Sequence, residues 1–257
     1  MSKSMIGYTL SLATLIVAIW LGVSVGSVKV PISTLWDTGT DAIATNIVWK
    51  IRMPRVILAG LVGASLAIAG AAFQSLLKNP LADPYTLGVS SGASVGAVAT
   101  LFFGISVPFL GMFTLPVFSM VGALITMLIV ISFAKLVDRA MKMETIILTG
   151  IIFSSFLGSV ISLMIALTGE ELRQIIGWLL GSVSMRGWSY VQMALPFIII
   201  GSLLLWLNRR ELNAMLFGEE RAQHLGVEVK KRKMMILIGG SMLTGTAVAV
   251  SGTIGFV

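Results

Sequence analysis

A chain of 257 residues that is 56% hydrophobic and 11% charged, with mean hydropathy +0.98, excludes a water-soluble domain, where roughly 45–50% apolar is usual. Its formal charge of +7 fits the basic loops of a membrane protein and not a nucleic-acid footprint, because no RNA- or DNA-binding motif accompanies it. The absence of cysteine rules out disulfides and thiolate metal sites.

In chain order, charge-free apolar runs predict seven membrane spans, at 5–27, 55–77, 87–104, 113–137, 145–168, 189–208 and 234–254. Each is long enough for a hydrocarbon core of roughly 30 Å, which takes about 20 helical residues. The runs are apolar on every face, so the dyad alternation of a β-barrel is absent. The fold class is therefore all-α, a polytopic transmembrane helical bundle. The first run lacks a small-residue cleavage site followed by a soluble domain and is read as a retained helix.

After it, 28–53 holds Pro31, Trp36 and an amphipathic stretch through Ile43, Ile47 and Ile51, which should lie along the membrane surface. Small residues mark helix contacts: Gly60, Gly63, Ala64, Ala67, Gly70 and Ala71 in the second span, and Gly88, Gly92 and Gly96, spaced by four, in the third. Such stripes let helices approach at backbone distance. The segment Glu171–Arg186 reads as a half-helix through Leu172, Ile175, Ile176, Leu179 and Leu180, capped by Gly181 and too short to cross. The six tryptophans fall near span ends or in loops, where an interfacial belt would put them.

Orientation follows from the basic residues. With the N-terminus inside, twelve Lys and Arg fall in inner segments and six in outer ones, a bias that predicts a cytoplasmic N-terminus and a multi-pass protein of the cell membrane. The span interiors hold essentially no ionisable group, whereas ion-driven transporters keep such groups there. His224 is the only histidine, so no metal cluster can form. There is no phosphate-binding G-x-x-x-x-G-K-[ST] loop and no nucleophile beside a base. Catalytic, cofactor and metal sites are all expected to be absent, and energy for transport must come from a partner.

The inner segment 208–233 is where a partner could push. Leu212, Met215 and Leu216 share a helical face, Gly218 breaks the run, and Ala222 and Leu225 form a second short face before Gly226. Two short helices joined at a glycine make a knob for a groove on a soluble protein. A solvated basic loop on anionic headgroups is the plainer alternative, and Lys230–Lys233 suits it.

These residues, with R-M-P-R at Arg52–Arg55, K-N-P-L-A-D-P-Y-T-L-G-V-S-S-G-A at Lys78–Ala93, L-R-Q-I-I-G-W-L-L-G-S at Leu172–Ser182 and S-G-T-I-G-F-V at Ser251–Val257, resemble the FecCD, vitamin-B12-type permease subunits of bacterial ABC importers for iron–siderophores, haem or cobalamin. The knob matches G-E-x-x-A-x-x-L-G through Gly218, Glu219, Ala222, Leu225 and Gly226. The resemblance implies that these residues, with Leu212 and Leu216, dock on an ABC ATPase subunit. It implies that Arg52 and Arg55 meet a substrate-binding protein, lipoprotein or periplasmic. Asn79, Pro80 and Leu81 would form a cytoplasmic gate with Met143, Glu144 and Thr145.

A second permease subunit, identical or paralogous, would complete the path. Family members have ten helices, so 1–257 is expected to be a single permease domain incomplete at its C-terminus. Outside the resemblance, an ion-coupled secondary transporter and a non-transporting assembly subunit remain the other readings.

Overall fold

The computed structural model describes residues 3–26, 28, 30 and 42–254. In them the chain forms eleven α-helices and no strand: α1 (Lys3–Ser24), α2 (Ala42–Asn46), α3 (Met53–Leu77), α4 (Val89–Phe102), α5 (Thr114–Val137), α6 (Met143–Leu167), α7 (Leu172–Leu179), α8 (Trp188–Leu207), α9 (Arg209–Leu216), α10 (Glu219–His224) and α11 (Val229–Ser251). Helices are what a lipid-embedded chain must form, since each satisfies its backbone groups internally. Among the described residues six stretches are long and apolar enough to cross a membrane: Met5–Ser24, Ile43–Leu77, Gly111–Val137, Met143–Leu167, Trp188–Leu207 and Val229–Ser251.

The seventh expected span, 87–104, is helical over only the 14 residues of α4, about 21 Å at 1.5 Å per residue. Its start is delayed by an irregular segment. Asn79 Oδ1 accepts the Leu81 N–H at 2.9 Å and Asp83 Oδ1 the Tyr85 N–H at 2.7 Å. Gly88 then precedes the helix at φ +79°. A Cβ on Gly88 would lie 3.2 Å from the Gly150 carbonyl and 3.7 Å from Thr126 Cγ2, so α4 begins part-way along α5 and α6. The 78–88 segment thus re-enters the bundle. Non-helical backbone at that depth is tolerated where protein buries it or a cavity is lined by it.

Contacts divide the chain into two compact units, Met1–Gly60 with Val183–Gln192, and Leu61–Ser182 with Met193–Val257; α3 and α8 run from one into the other. In the first unit, the 43–52 stretch expected on the membrane surface is helical and continuous with α3. It passes through a π-helical turn at Ile47–Arg52. Pro31 and Trp36 lie outside the described residues. The Trp188 Nε1–H donates to the Trp49 carbonyl at 2.8 Å.

The second unit is built on α11, buried nearly throughout its length and flanked by α4 and α5. Gly92 and Gly96 sit against Gly122 and Phe118 of α5, where a Cβ on Gly92 would lie 2.6 Å from the Gly122 carbonyl. Gly181 (φ +69°) follows the end of α7, and Trp178 in its last turn is buried, not at an interface as its sequence position suggested. The Ser182 N–H donates to the Ser251 carbonyl at 2.6 Å, and Thr253 Oγ1 donates to the Leu179 carbonyl. These bonds tie the ends of α7 and α11 together.

Candidate coupling, gate and docking sites

The 208–233 segment folds as α9, a glycine and α10. Gly218 adopts φ +122°, a region open to glycine because it has no Cβ. Gly226, at φ +82°, closes α10 by donating to the Gln223 carbonyl at 2.9 Å. The two short helices share an inner face. Met215 and Ala222 are buried, Leu212 is half-buried, and Leu216, Phe217 and Leu225 are exposed, the last two at 74%. Met215 therefore belongs to the protein interior and not to the outer face with Leu216. Phe217 was not singled out from sequence, although an aromatic residue in a polar segment was the available signal. Beside Leu225 lies a groove of about 620 Å³ lined by Arg210, Glu211, Ala214, Glu228 and Arg232.

What holds this knob is the first turn of α11, which starts at Val229 and takes in the whole basic run. Arg232 pairs with Glu211 of α9 at 3.2 Å and donates to Asn208 Oδ1 at 3.0 Å. Lys233 pairs with Glu219 at 2.6 Å and donates to the Met141 carbonyl at 3.1 Å. Lys233 is 1% exposed, so it does not lie on headgroups as the basic run suggested. It shares a helical face with Val229, Ile236 and Leu237, all buried. Glu219, whose plainer reading was a favourable charge at a helix N-terminus, is the tether of α10.

Both gate segments stand in the second unit. Met143, Glu144 and Thr145 form the first turn of α6; Met143 is buried and Glu144 exposed. The turn before them is organised by Asp138, whose carboxylate accepts the Ala140 N–H at 2.8 Å and the Lys142 N–H at 3.1 Å. Those two bonds, the Ala140 one first, hold its carboxyl below the usual range. Asn79, Pro80 and Leu81 form an exposed turn, and among the described residues no hydrogen bond or ion pair joins them to 143–145. Further along that segment Tyr85 donates to the Ile254 carbonyl at 2.6 Å.

The two arginines near the start of α3 differ. Arg52 is 8% exposed and donates to the Val23 carbonyl at 2.8 Å, to that of Ser24 at 3.0 Å, and to that of Val28. It therefore satisfies the carbonyls that the end of α1 leaves without intrahelical partners. Arg55 is exposed. A cavity of about 710 Å³ between α1 and the start of α3 has both arginines in its lining. Among the described residues no cluster of three His, Cys, Asp or Glu is placed to hold a metal ion.

This arrangement is a helical bundle with a re-entrant segment and a polar knob anchored to a central helix, and it agrees with what the chain is similar to. The sequence pattern of the FecCD transport family matches residues 14–257. The chain belongs to the FecCD transport family. It is 60% identical to the uncharacterized ABC transporter permease protein YvrB of Bacillus subtilis (strain 168), over 97% of this chain and 74% of that one. It is 40% identical to the cobalamin import system permease protein BtuC of Halobacterium salinarum, over 85% of this chain and 58% of that one. A solved inward-facing structure, described as of metal-chelate type ABC transporter, superposes with TM-score 0.81 at 29% identity. It covers 99% of this chain and 78% of its own. The chain is thus an ABC transporter permease of the FecCD family, a multi-pass membrane protein.

Proposed function

We propose that this FecCD permease is the membrane-spanning subunit of an importer driven by a separate ABC ATPase, passing a metal chelate of the iron–siderophore, haem or cobalamin class across the cytoplasmic membrane. The knob carries the reading. Leu216, Phe217 and Leu225 stand bare on a chain whose long apolar helices carry Lys50, Arg52, Arg55, Lys135, Glu144 and the Lys230–Lys233 run toward their ends, but no Asp, Glu, Lys, Arg or His over 56–77, 145–167 or 234–251 for coupling to an ion gradient. Apolar side chains exposed on a polar segment need a cover, and a groove on an ATPase subunit supplies one. The cobalamin and metal-chelate proteins it is similar to support the substrate class.

In this reading the knob faces the cytoplasm and the N-terminus is inside, in keeping with the two-to-one distribution of basic residues. Binding-protein docking falls to Arg55, since Arg52 is occupied at the end of α1; an exposed charge there steers and orients the encounter. The gate is formed by Asn79, Pro80 and Leu81 with Met143, Glu144 and Thr145. Ser155, Ser159 and Ser162, exposed on one face of α6, line a weakly interacting path that a second permease subunit completes.

The test is co-purification of the chain with its tagged ATPase subunit, before and after Leu225→Asp. Leu225 makes little contact with its own chain, so the variant should fold and lose the ATPase. Undiminished association would remove the knob from the docking surface.

A further inference from the structure

The anchor of the knob has a second end. The Lys233 ammonium binds two separate pieces of chain: the Glu219 carboxylate in the first turn of α10, at 2.6 Å, and the Met141 carbonyl between α5 and α6, at 3.1 Å. Met141 is held at φ +53°, which residues bearing a Cβ adopt uncommonly. The turn around it is closed by the Met141 N–H to the Asp138 carbonyl at 2.9 Å and by the two bonds to the Asp138 carboxylate. Two residues on from Met141, α6 begins.

We propose that Lys233 is a positioning residue that carries a displacement of α10 to the Asp138–Lys142 turn, and through it to the N-terminal end of α6. This rests on the reading of α9 and α10 as the ATPase-docking knob. Three observations support it. First, the ammonium is fully buried, so water cannot replace either partner, and parting from Glu219 would leave an uncompensated buried charge. α10, Lys233 and the turn therefore move together. Second, the turn has somewhere to go. A non-glycine residue in the left-handed region persists only while its surroundings hold it there, and the Lys233 bond to the Met141 carbonyl is part of that hold. Third, the route is selective. α9 is tied through Arg232 to Glu211 and Asn208, and neither bond reaches the turn.

The chain contains no cysteine, so one introduced at Leu148, exposed in the second turn of α6, reports alone. The measurement is its rate of maleimide modification, with and without ATP plus vanadate, in membranes carrying the full chain together with its ATPase subunit. With native Lys233 the rate should change with nucleotide by roughly fivefold or more, the range of ordinary allosteric coupling. Lys233→Met should bring the ratio to about one while the ATPase still co-purifies. Lys231→Gln, which breaks the exposed Lys231–Glu228 pair, should leave the ratio intact.

An unchanged ratio in Lys233→Met with ATPase bound overturns the inference. If that variant does not accumulate, Glu219→Gln decides on the same ratio, since Gln keeps the volume and removes the charge. A merely structural role would alter modification equally with and without nucleotide, and such a result also overturns it. Failure of the ATPase to co-purify with the native chain overturns the docking reading instead, and is seen before any ratio is taken.

Discussion

α1 and α11 both have the length and composition of membrane spans, yet 6% of the apolar stretch of α1 is buried against 78% of that of α11. The more buried helix is the less apolar one. It carries Gly239, Gly240, Thr244, Gly245, Ala247 and Ser251 where α1 carries Leu10, Leu12, Leu15, Ile16 and Val17. In lipid, apolar side chains gain nothing by leaving hydrocarbon for a protein interior, so close packing of small residues decides which helix is central. α11 is held along its whole length by neighbours. In its own unit α1 is held near its C-terminal end, by Arg52 on its terminal carbonyls and by Gly22 packing against Val56.

The contrast is broken most severely at the N-terminal end of α11. Glu219→Ala leaves Lys233 buried without its carboxylate, and removing one partner of a buried pair costs about 3–5 kcal/mol. The partial exposure of Glu219 puts the expected loss at about 3 kcal/mol, the low end of that range. Thermal unfolding in detergent should show it as a lowered midpoint. Glu228→Ala, two-thirds exposed beside Lys231, should change stability by less than about 1 kcal/mol.

Arg52→Ala comes next, because charge-assisted hydrogen bonds are worth about 1.5–3 kcal/mol. Its effect should be local. Protease cleavage after α1 should quicken while the midpoint of the rest of the molecule stays put; a global loss would mean that α1 is tied in elsewhere. Gly245→Leu places a Cβ 2.9 Å from that of Ala123 and should cost about 1–3 kcal/mol through overpacking. Gly7→Leu in α1, with nothing within 4 Å, should stay within about 0.5 kcal/mol. Equal losses from the two glycines would end the claim that small residues mark the central helix.

Gaps in charge located the spans because ionisable groups are costly in hydrocarbon, and those gaps reflect composition alone. Glycines 92 and 96 stand at backbone contacts and Gly218 at a hinge because their spacing and missing Cβ are local properties. The interior of the knob could not be read that way. In helices of six and eight residues almost any side chain can face either way, so the inward turn of Met215 and the outward turn of Phe217 depend on what α11 presents.

Re-entry of 78–88 was hidden because its prolines and Asx turns suit a surface loop equally well. Arg52 belonged to an R-M-P-R motif that suggested an outward role, while its partners are carbonyls that no sequence pattern displays. Lys233 was masked by Lys230, Lys231 and Arg232 beside it, although its spacing from Val229 and Leu237 put it on the buried face.

The mildest test concerns the turn at the other end of the Lys233 link. The Asp138 carboxyl is held below its usual pKa by the N–H groups of Ala140 and Lys142, bonds that exist for the ionised form. A carboxyl whose folded pKa is depressed adds stability at pH values above its unfolded pKa, and that contribution is lost as pH falls through the folded one. The turn should therefore keep its order at neutral pH and through the ordinary carboxylate range, loosening only below it. Amide exchange at Ala140 and Lys142, corrected for the intrinsic dependence on pH, should accelerate in that acidic window alone. In Asp138→Asn it should be faster at neutral pH and lose the acid step. Asp138 is half-buried and its carboxylate bonds stay within the turn, whereas Lys233 reaches that turn through the Met141 carbonyl. Acid should consequently loosen the turn without releasing α10. If α10 amides open in the same step, the turn and the knob are joined through Asp138 rather than through the buried ammonium.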